Sequence, residues 1–456
     1  MLIFRNLTLS GQLLRISGWF RDDTFRRLFF NAGKLLGGNS IATGIALVST
    51  LLTARALGPQ NYGILTLVLV YELTIGKLLT FNVWQAFIKF GGEALHIGNH
   101  EDLRQLIKLC FCLDISSATA GTILAILLSG PTIKVLGWNQ DIRSLLVLYS
   151  LLVIFSINGT PIGVLRLFNR FDLLSINAAL SSLIRFIGVV ICLLLKQNLY
   201  GFVVVYLITG ILGQLYLLIS SIWVLYNKGI HGYVFQSLVN IQKRFPGIWN
   251  YVWTTNINST LAMILREGST LLIAGLTGPS ALGLYKIAQQ ITQTILKLSD
   301  PLNHAIYPEL SKLFALKRIN EFFSLIKRSA VIVTTISLSI WFGFVVLGEK
   351  VIIYVLGHIY LGAYPIAVVY ILAAVVAMSG FSFQSAMLAI GWPHRSTIIL
   401  LIGTVVYYFS LFILVQYIGI IGAAYAYLVY CSIWLILMFM NLRSYFIYYT
   451  SEYHLQ

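Results

Sequence analysis

The chain has 456 residues, of which 58% are hydrophobic and 10% are charged, with a mean hydropathy of +0.85 and a net charge of +16. Soluble domains are about 45–50% apolar and about 25% charged, so this composition excludes a soluble enzyme, a disordered chain and a secreted disulfide scaffold. It is typical of a polytopic helical membrane protein whose Lys and Arg lie in loops at the anionic cytosolic surface. Membrane lipids, and not nucleic acid, are therefore the expected surroundings.

The chain begins with a basic segment and continues as a series of apolar segments. Residues 1–30 contain five arginines and no long apolar run, which predicts a cytosolic N-terminal arm rather than a cleavable signal peptide. A helix needs about 20 predominantly apolar residues to cross a bilayer, and the sequence predicts an all-α polytopic membrane protein with twelve spans. Their limits are 35–57, 62–81, 106–130, 144–164, 173–195, 201–226, 251–276, 281–302, 329–348, 364–390, 396–416 and 419–441.

The charges of the connecting loops indicate the topology. If both termini lie in the cytosol, the cytosolic segments contain 21 Lys and Arg residues and the opposite loops contain five. This asymmetry predicts an N-in and C-in arrangement. We expect an N-lobe at 31–228, a cytosolic linker at 229–250, and a C-lobe with a short tail at 251–456.

Two sequence pairs at nearly the same offset indicate an internal repeat. Residues 58–63 read GPQNYG and residues 278–283 read GPSALG, an offset of 220. The dipeptides Tyr206-Leu207 and Tyr427-Leu428, each five residues after a glycine, repeat at an offset of 221. Six spans per half give both halves the same orientation, so the repeat is parallel and its axis lies along the membrane normal. This predicts two six-helix bundles that rock around a central cavity, the architecture of a transporter.

Polar and charged residues within the predicted spans are the candidates for a binding site, because ionisable groups in a membrane are costly and usually functional. The eighth span has a continuous polar stripe from Lys286 to Lys297, which predicts a helix that lines a wet interior. Lys and Arg pair with phosphate, and amides bind sugar hydroxyls. The candidates are Lys77, Arg266, Lys286, Gln290, Gln293 and Lys297, and further candidates are Arg185, Asn39, Asn258, Arg166 and Arg170.

The same residues have a structural alternative, because a buried cation is often only the partner of a buried acid. Arg166 and Arg170 lie four residues apart at the predicted cytosolic mouth of the fourth span, where they capture a headgroup or simply anchor the helix. Three acidic residues within spans are candidates for ion coupling: Glu72, Asp114 and Glu267. The sequence has no clustered metal ligands and no ATP-binding motif, so no cofactor is expected.

Three segments carry a resemblance to a known family. They are TARALGPQNYGILTLVL at 53–69, LRLFNRF at 165–171 and GIIGAAYAYLVY at 419–430. Their order and spacing resemble the bacterial polysaccharide transporters, the Wzx-type flippases for O-antigen and capsule, which belong to the MATE-like MOP superfamily. The resemblance implies two bundles in a V shape in the bacterial inner membrane.

The resemblance also implies a substrate, an oligosaccharide linked to undecaprenyl pyrophosphate, such as the O-antigen unit of lipopolysaccharide. By position, Lys77, Arg266, Lys286 and Lys297 would hold its pyrophosphate or acidic sugars. The polysaccharide polymerase and the chain-length machinery are candidate partners. Relatives that flip the peptidoglycan precursor usually have fourteen spans, so twelve spans disfavour that role.

Two alternative functions differ from the flippase in their expected sequence features. A MATE-type exporter of drugs or cations would have an acidic or apolar cavity, whereas the predicted cavity is rich in Lys and Arg. A membrane-embedded polysaccharide polymerase or ligase would have catalytic residues in a large outer loop, whereas no outer loop here exceeds about 15 residues. We therefore expect a transporter that works by alternating access, and not an enzyme.

Overall fold

The computed structural model describes residues 23–79, 81, 83–239, 241–297 and 300–453. Within these ranges the chain is helical and has no β-strand. The helices are α1 Asp23–Leu79, α2 Val83–Ile97, α3 His100–Leu136, α4 Ile142–Phe155, α5 Gly159–Leu167, α6 Phe171–Leu194, α7 Leu199–Asn227, α8 Ile241–Arg244, α9 Ile248–Thr277, α10 Pro279–Lys297, α11 Asp300–Ala315, α12 Ile319–Leu356, α13 Ala363–Ser379, α14 Phe381–Ile390, α15 Pro393–Ile418 and α16 Ile421–Tyr453. Short 3-10 turns occupy Tyr233–Phe235 and His358–Tyr360.

The long helix α1 is two helices joined at a sharp bend. Gly58 has φ 69° and ψ 170°, which is not a helical conformation, and Pro59 follows it. Glycine adopts a positive φ without steric cost, and a proline fits the first turn of a helix because that turn needs no donor. The bend therefore lies where the sequence predicts a turn between the first and second spans.

Apolar composition accounts for most of the helices. Eight helical stretches within the described residues are long and apolar enough to cross a membrane. They coincide with the predicted spans at 106–130, 144–164, 173–195, 201–226, 329–348, 364–390, 396–416 and 419–441. The other four predicted spans fall on α1, α9 and α10. The predicted all-α polytopic fold is thus confirmed.

Two of these spans are discontinuous, and the breaks occupy equivalent places in the two halves. The fourth span breaks between Phe155 and Gly159, and the tenth breaks at Gly380. Broken helices are tolerated within membranes only where neighbouring protein satisfies the freed backbone groups.

The helices repeat along the chain with the predicted offset. The starts of α12, α13, α14, α15 and α16 follow those of α3, α4, α5, α6 and α7 by 219 to 222 residues. The internal repeat is therefore present in the secondary structure as well as in the sequence.

The described helices pack into two compact units, and each unit contains segments from both halves of the chain. Unit 1 contains the chain up to Thr50, with Ile75–Ser129 and Leu145–Ala262. Unit 2 contains Leu51–Thr74, Gly130–Ser144 and the chain from Met263. The lobes predicted at 31–228 and 251–456 divide the chain according to its internal repeat. The two packing units divide it differently and do not test that prediction.

The core of unit 1 lies where α2, α3, α5, α7 and the start of α9 meet. Its central side chains are fully buried and apolar, among them Phe87, Leu106, Ile107, Val164 and Ile248. Phe245 and Tyr251 each contact the ring of Phe90 edge to face, at 6.0 Å between ring centroids. The segment after α7 and the start of α9 are in this way fixed to α2.

The core of unit 2 is built around α13, most of whose residues are buried. It packs against α10, α12 and α16. A second apolar cluster joins α11 to α14 and α16, with Leu310, Phe322, Ala386 and Met438 at its centre. Unit 2 therefore encloses α10, the helix on which the sequence predicts the polar stripe.

Candidate functional site

A chain of hydrogen bonds runs from the polar stripe of α10 into the interior of unit 2. The Nζ atom of Lys286 donates to Oε1 of Gln289 at 2.8 Å. The Nε2 atom of Gln289 donates to the hydroxyl of Tyr285 at 3.4 Å, and that hydroxyl lies 3.0 Å from the hydroxyl of Tyr370. Gln289 is three residues from Lys286 and four from Tyr285, so it neighbours both on the helix surface and links them.

Tyrosines from four helices surround the inner end of this chain. Tyr285 and Tyr370 are almost completely buried. Tyr407 is also buried, and its ring contacts that of Tyr427 edge to face with 6.3 Å between centroids. The ring of Tyr427 stacks on Tyr370 with 4.7 Å between centroids. This tyrosine cluster, Tyr285, Tyr370, Tyr407 and Tyr427, places hydroxyl groups in an otherwise apolar unit.

Lys286 has an acidic neighbour in the same unit. Glu267, on α9, attracts the ammonium group of Lys286 electrostatically. Lys286 and Gln290 are half-buried, whereas Gln293, farther along α10, is exposed. Lys286 therefore has both an amide and an acid as neighbours.

A second polar cluster lies between α6 and α7 in unit 1. Arg185 is half-buried, and its guanidinium carbon lies 5.3 Å from the ring centroid of Tyr206. Exposed apolar side chains lie on the opposite face of α6, including Leu183 and Ile187. Arg185 therefore points toward the protein, as expected of a cation in a membrane helix.

Three buried polar atoms in this cluster lack a hydrogen-bond partner within the described part of the chain: Nε of Arg185, Oδ1 of Asn177 and Oε1 of Gln214. Gly213 allows the close packing, because a Cβ atom there would lie 2.8 Å from Oγ of Ser181. Buried polar atoms usually have partners, so this cluster has binding capacity for a hydroxyl-rich or anionic group.

The arginines at the predicted cytosolic mouth occupy different surroundings. Helix α5 ends at Leu167 and Asn169 has a positive φ of 56°, so Arg166 and Arg170 do not lie on one helical face. The guanidinium of Arg166 lies 4.2 Å from the ring centroid of Trp84. Arg170 binds Asp172 through two nitrogens, and this hydrogen bonding raises the pKa of Arg170 above its usual value. Arg170 therefore has an acidic partner, whereas the contact described for Arg166 is aromatic.

Asp114 is the most deeply buried of the acidic candidates. Its side chain is fully buried, and Oδ2 accepts a hydrogen bond of 2.6 Å from the backbone amide of Thr160, at the start of α5. Gly159 provides the space, because a Cβ atom there would lie 2.6 Å from Oδ1 of Asp114. The positive end of a helix dipole stabilises a carboxylate. Glu72 and Glu267 are half-buried.

The structure brings together only some of the predicted residues. Lys286, Gln290 and Glu267 lie in unit 2 near the tyrosine cluster, whereas Arg185, Arg166 and Asp114 occupy separate places in unit 1. Five candidates have side chains outside the described part of the structure: Asn39, Lys77, Asn258, Arg266 and Lys297. Within the described residues, no group of three or more His, Cys, Asp or Glu side chains is placed to hold a metal ion.

Sequence reasoning missed the tyrosine cluster and the buried amides of Asn177 and Gln214 on α6 and α7. The tyrosines come from helices far apart in sequence, so only the fold shows that they meet. Asn177, Ser181 and Arg185 follow the spacing i, i+4 and i+8, which was a detectable helical stripe. Trp84 has no signal of its own, because interfacial tryptophans are common in membrane proteins.

Comparisons with known proteins identify the fold and the family. Residues 28–314 match the model of a family described as polysaccharide biosynthesis protein. The inner membrane protein YghQ of Escherichia coli is 26% identical over 351 residues, which cover 77% of this chain and 98% of YghQ.

Two solved structures share the fold at low sequence identity. An inward-facing multidrug resistance MATE family transporter of the MOP superfamily superposes with a TM-score of 0.70 and 13% identity, covering 90% of this chain and 97% of that one. The lipid II flippase MurJ, in an inward closed conformation, superposes with a TM-score of 0.69 and 16% identity, covering 90% and 87%. Both share the helical fold that the sequence predicts. The chain thus belongs to the polysaccharide biosynthesis protein family and has the fold of the MOP superfamily transporters.

Proposed function

We propose that this protein is a flippase for an oligosaccharide linked to undecaprenyl pyrophosphate, the unit of O-antigen or of another surface polysaccharide. It carries the headgroup from the cytosolic to the periplasmic leaflet of the bacterial inner membrane by alternating access. The family match supports a role in polysaccharide export. The relative YghQ is described as an inner membrane protein, and MurJ, which shares the fold, is described as a lipid II flippase.

The observation that carries this proposal is the hydrogen-bond chain from Lys286 to Tyr370 inside an apolar unit. An ammonium group has three donors, and Gln289 accepts from one of them, so Lys286 has donors for a phosphate oxygen. Amide and hydroxyl groups along the same chain suit the hydroxyls of a sugar. A MATE-type exporter of cations would not use a buried lysine in this way.

The other predicted residues extend the proposed site. By position, Lys77, Arg266 and Lys297 add positive charge for the pyrophosphate, and Gln293, Asn39 and Asn258 add amides. Arg185 and Arg166 have aromatic neighbours and serve as further contacts for an anionic sugar or headgroup. Glu72, Asp114 and Glu267 are the proposed carriers of a coupling ion.

Deletion of the gene tests the function. We expect lipid-linked single repeat units to accumulate on the cytosolic face of oriented membrane vesicles, with loss of the surface polymer. Single units on the outer face would instead identify a polymerase or ligase, which acts after flipping. Unchanged surface glycans would favour the MATE-type exporter.

The first prediction concerns the role of Lys286 in that function. Replacement of Lys286 with Gln removes the charge and keeps a polar side chain, and we expect flipping to fall about ten- to a hundredfold, the effect of a lost charge-assisted hydrogen bond. The exposed Lys312, on α11, is the matched control, and Lys312→Gln should flip at the parent rate. Surface polymer and sidedness of the lipid-linked units measure both variants. Normal polymer in a stably folded Lys286→Gln variant would overturn the assignment.

A further inference from the structure

The two GPxxxG segments of the internal repeat contact one another in unit 2, and the contact is reciprocal. A Cβ atom added to Gly63 would overlap the carbonyl oxygen of Pro279, and one added to Gly283 would overlap the carbonyl oxygen of Pro59. The third nearest atom to the Gly63 position is the backbone nitrogen of Gly283, at 3.0 Å. In each segment, the second glycine thus packs directly against the proline carbonyl of the other segment.

The backbone bends that create this contact are also matched. Gly58 and Gly278 have positive φ angles of 69° and 81°, and each is followed by the proline that begins the next helix. Proline fits the first position of a helix because the amide that it lacks would have no intrahelical acceptor there. We name the six residues Gly58, Pro59, Gly63, Gly278, Pro279 and Gly283 the glycine interlock.

Side-chain hydrogen bonds to helix ends surround the interlock. Arg55 donates to the carbonyls of Tyr354 and Val355 at 3.2 and 3.3 Å, and Tyr360 donates to the carbonyl of Ala54 at 2.7 Å. The indole of Trp138 donates to the carbonyl of Ala274 at 3.0 Å. The acceptors lie in the last turns of three helices, and the carbonyl of Ala274 also accepts from the backbone amide of Gly278 at 3.2 Å.

These contacts have the properties of a seal that can open. They consist of main-chain approach through glycines and of a few hydrogen bonds to helix ends, which water can replace when the contact opens. The predicted topology places all of these helix ends on the outer side of the membrane. Each segment comes from a different half of the repeat, and the halves are the parts expected to rock.

We propose that the glycine interlock is the outer gate of the transport cycle. It holds the outer helix ends of the two halves together while the site faces the cytosol, and it separates to release the headgroup outward. This proposal rests on the proposed function for the identity of the cargo. The opening itself is measurable without any cargo.

The test uses thiol labelling of one buried position beside the interlock. Ala54 is fully buried, so a cysteine there, in a chain whose four native cysteines are replaced by alanine, reports opening to a membrane-impermeant maleimide in intact spheroplasts. We expect negligible labelling with the parent glycines and at least about tenfold faster labelling in Gly63→Ala and Gly283→Ala alike, because either methyl group forces the same contact apart. Gly343→Ala is the matched control, since a Cβ atom there meets nothing within 4 Å.

A milder variant keeps the test decisive if the alanine variants fold poorly. Tyr360→Phe removes only the hydroxyl that bonds to Ala54, and labelling should rise about two- to tenfold, the effect of one hydrogen bond. Unchanged labelling in all three variants, or equal labelling in Gly343→Ala, would overturn the gate. The gate and the flippase can also fail separately. If labelling responds as expected but deletion of the gene leaves the surface polysaccharide normal, the gate is supported and the flippase function is refuted.

Discussion

Three charged residues within the apolar helices, Lys286, Arg185 and Asp114, each have a polar or aromatic neighbour in their own unit. Lys286 donates to Gln289, the guanidinium of Arg185 lies over the ring of Tyr206, and Asp114 accepts from Thr160. A buried charge without such contacts would destabilise the fold by several kcal/mol. These residues differ in how accessible they are to a ligand. The carboxylate of Asp114 is enclosed, whereas Lys286 is only half-buried.

Asp114 provides a prediction that separates a structural role from ion coupling. Replacement of Asp114 with Ala leaves the amide of Thr160 without its acceptor, so we expect the free energy of unfolding to fall by about 1–3 kcal/mol. Asp114→Asn keeps an oxygen acceptor and should remain close to the parent in stability. Thermal unfolding in detergent measures both variants, and surface polysaccharide measures transport.

The two Asp114 variants give distinct outcomes. If Asp114 carries a coupling proton, Asp114→Asn folds normally and fails to transport, because an amide does not titrate. Transport at the parent rate by Asp114→Asn would assign the carboxylate to structure alone. An Asp114→Ala variant as stable as the parent would contradict the structural role of the hydrogen bond to Thr160.

At the scale of helices, glycines decide how closely neighbours approach. Gly163 on α5 faces α2, and a Cβ atom there would lie 2.9 Å from the ring of Phe87. Gly92, on α2, has more space, because its nearest neighbour would be a methyl group of Leu167 at 3.9 Å. Close approach through small residues is a principal means of helix packing in membranes.

These two glycines predict opposite effects of the same substitution. Gly163→Ala should lower the free energy of unfolding by about 1–3 kcal/mol, because the methyl group overpacks the contact between α5 and α2. Gly92→Ala should be neutral or stabilising by up to about 1 kcal/mol, because alanine favours the helix without a clash. Thermal unfolding of the two purified variants, compared with the parent, tests the difference. Equal loss of stability in the two variants would contradict the tight contact between Gly163 and Phe87.

The elements that follow local composition were predictable, and those that depend on tertiary contacts were not. Apolar runs predicted where the spans lie, although α12 extends well beyond the predicted span at 329–348 at both ends, and Gly58 with Pro59 marked a turn. The break before Gly159 has a local signal, Asn158-Gly159 followed by Pro161. Its stabilising contact is tertiary, because the amide of Thr160 donates to Asp114, 46 residues earlier. A turn at Asn169, with a φ of 56°, follows the end of α5 at Leu167 and separates Arg166 from Arg170. Likewise Lys286 was predictable from one helix, whereas the tyrosine cluster needed four.

At the scale of the whole chain, the repeat is the feature on which the transport hypothesis depends. The helices of the second half follow those of the first by a nearly constant offset, including the break in the fourth and tenth spans. A parallel repeat of six spans requires equivalent loops of the two halves to lie on the same side of the membrane. The loop charges predict that side, because Lys and Arg are retained in the cytosol.

Single cysteines at three exposed positions test this arrangement in a chain without native cysteines. Gln140 lies between α3 and α4, Glu349 lies near the end of α12, and Ser237 lies in the linker before α8. We expect an impermeant maleimide to label Gln140→Cys and Glu349→Cys in spheroplasts, and Ser237→Cys only in inside-out vesicles. Opposite sides for Gln140→Cys and Glu349→Cys would contradict the parallel repeat and with it the paired gate. Reversal of all three would preserve the repeat but place the termini outside, so that the interlock would close the cytosolic side instead.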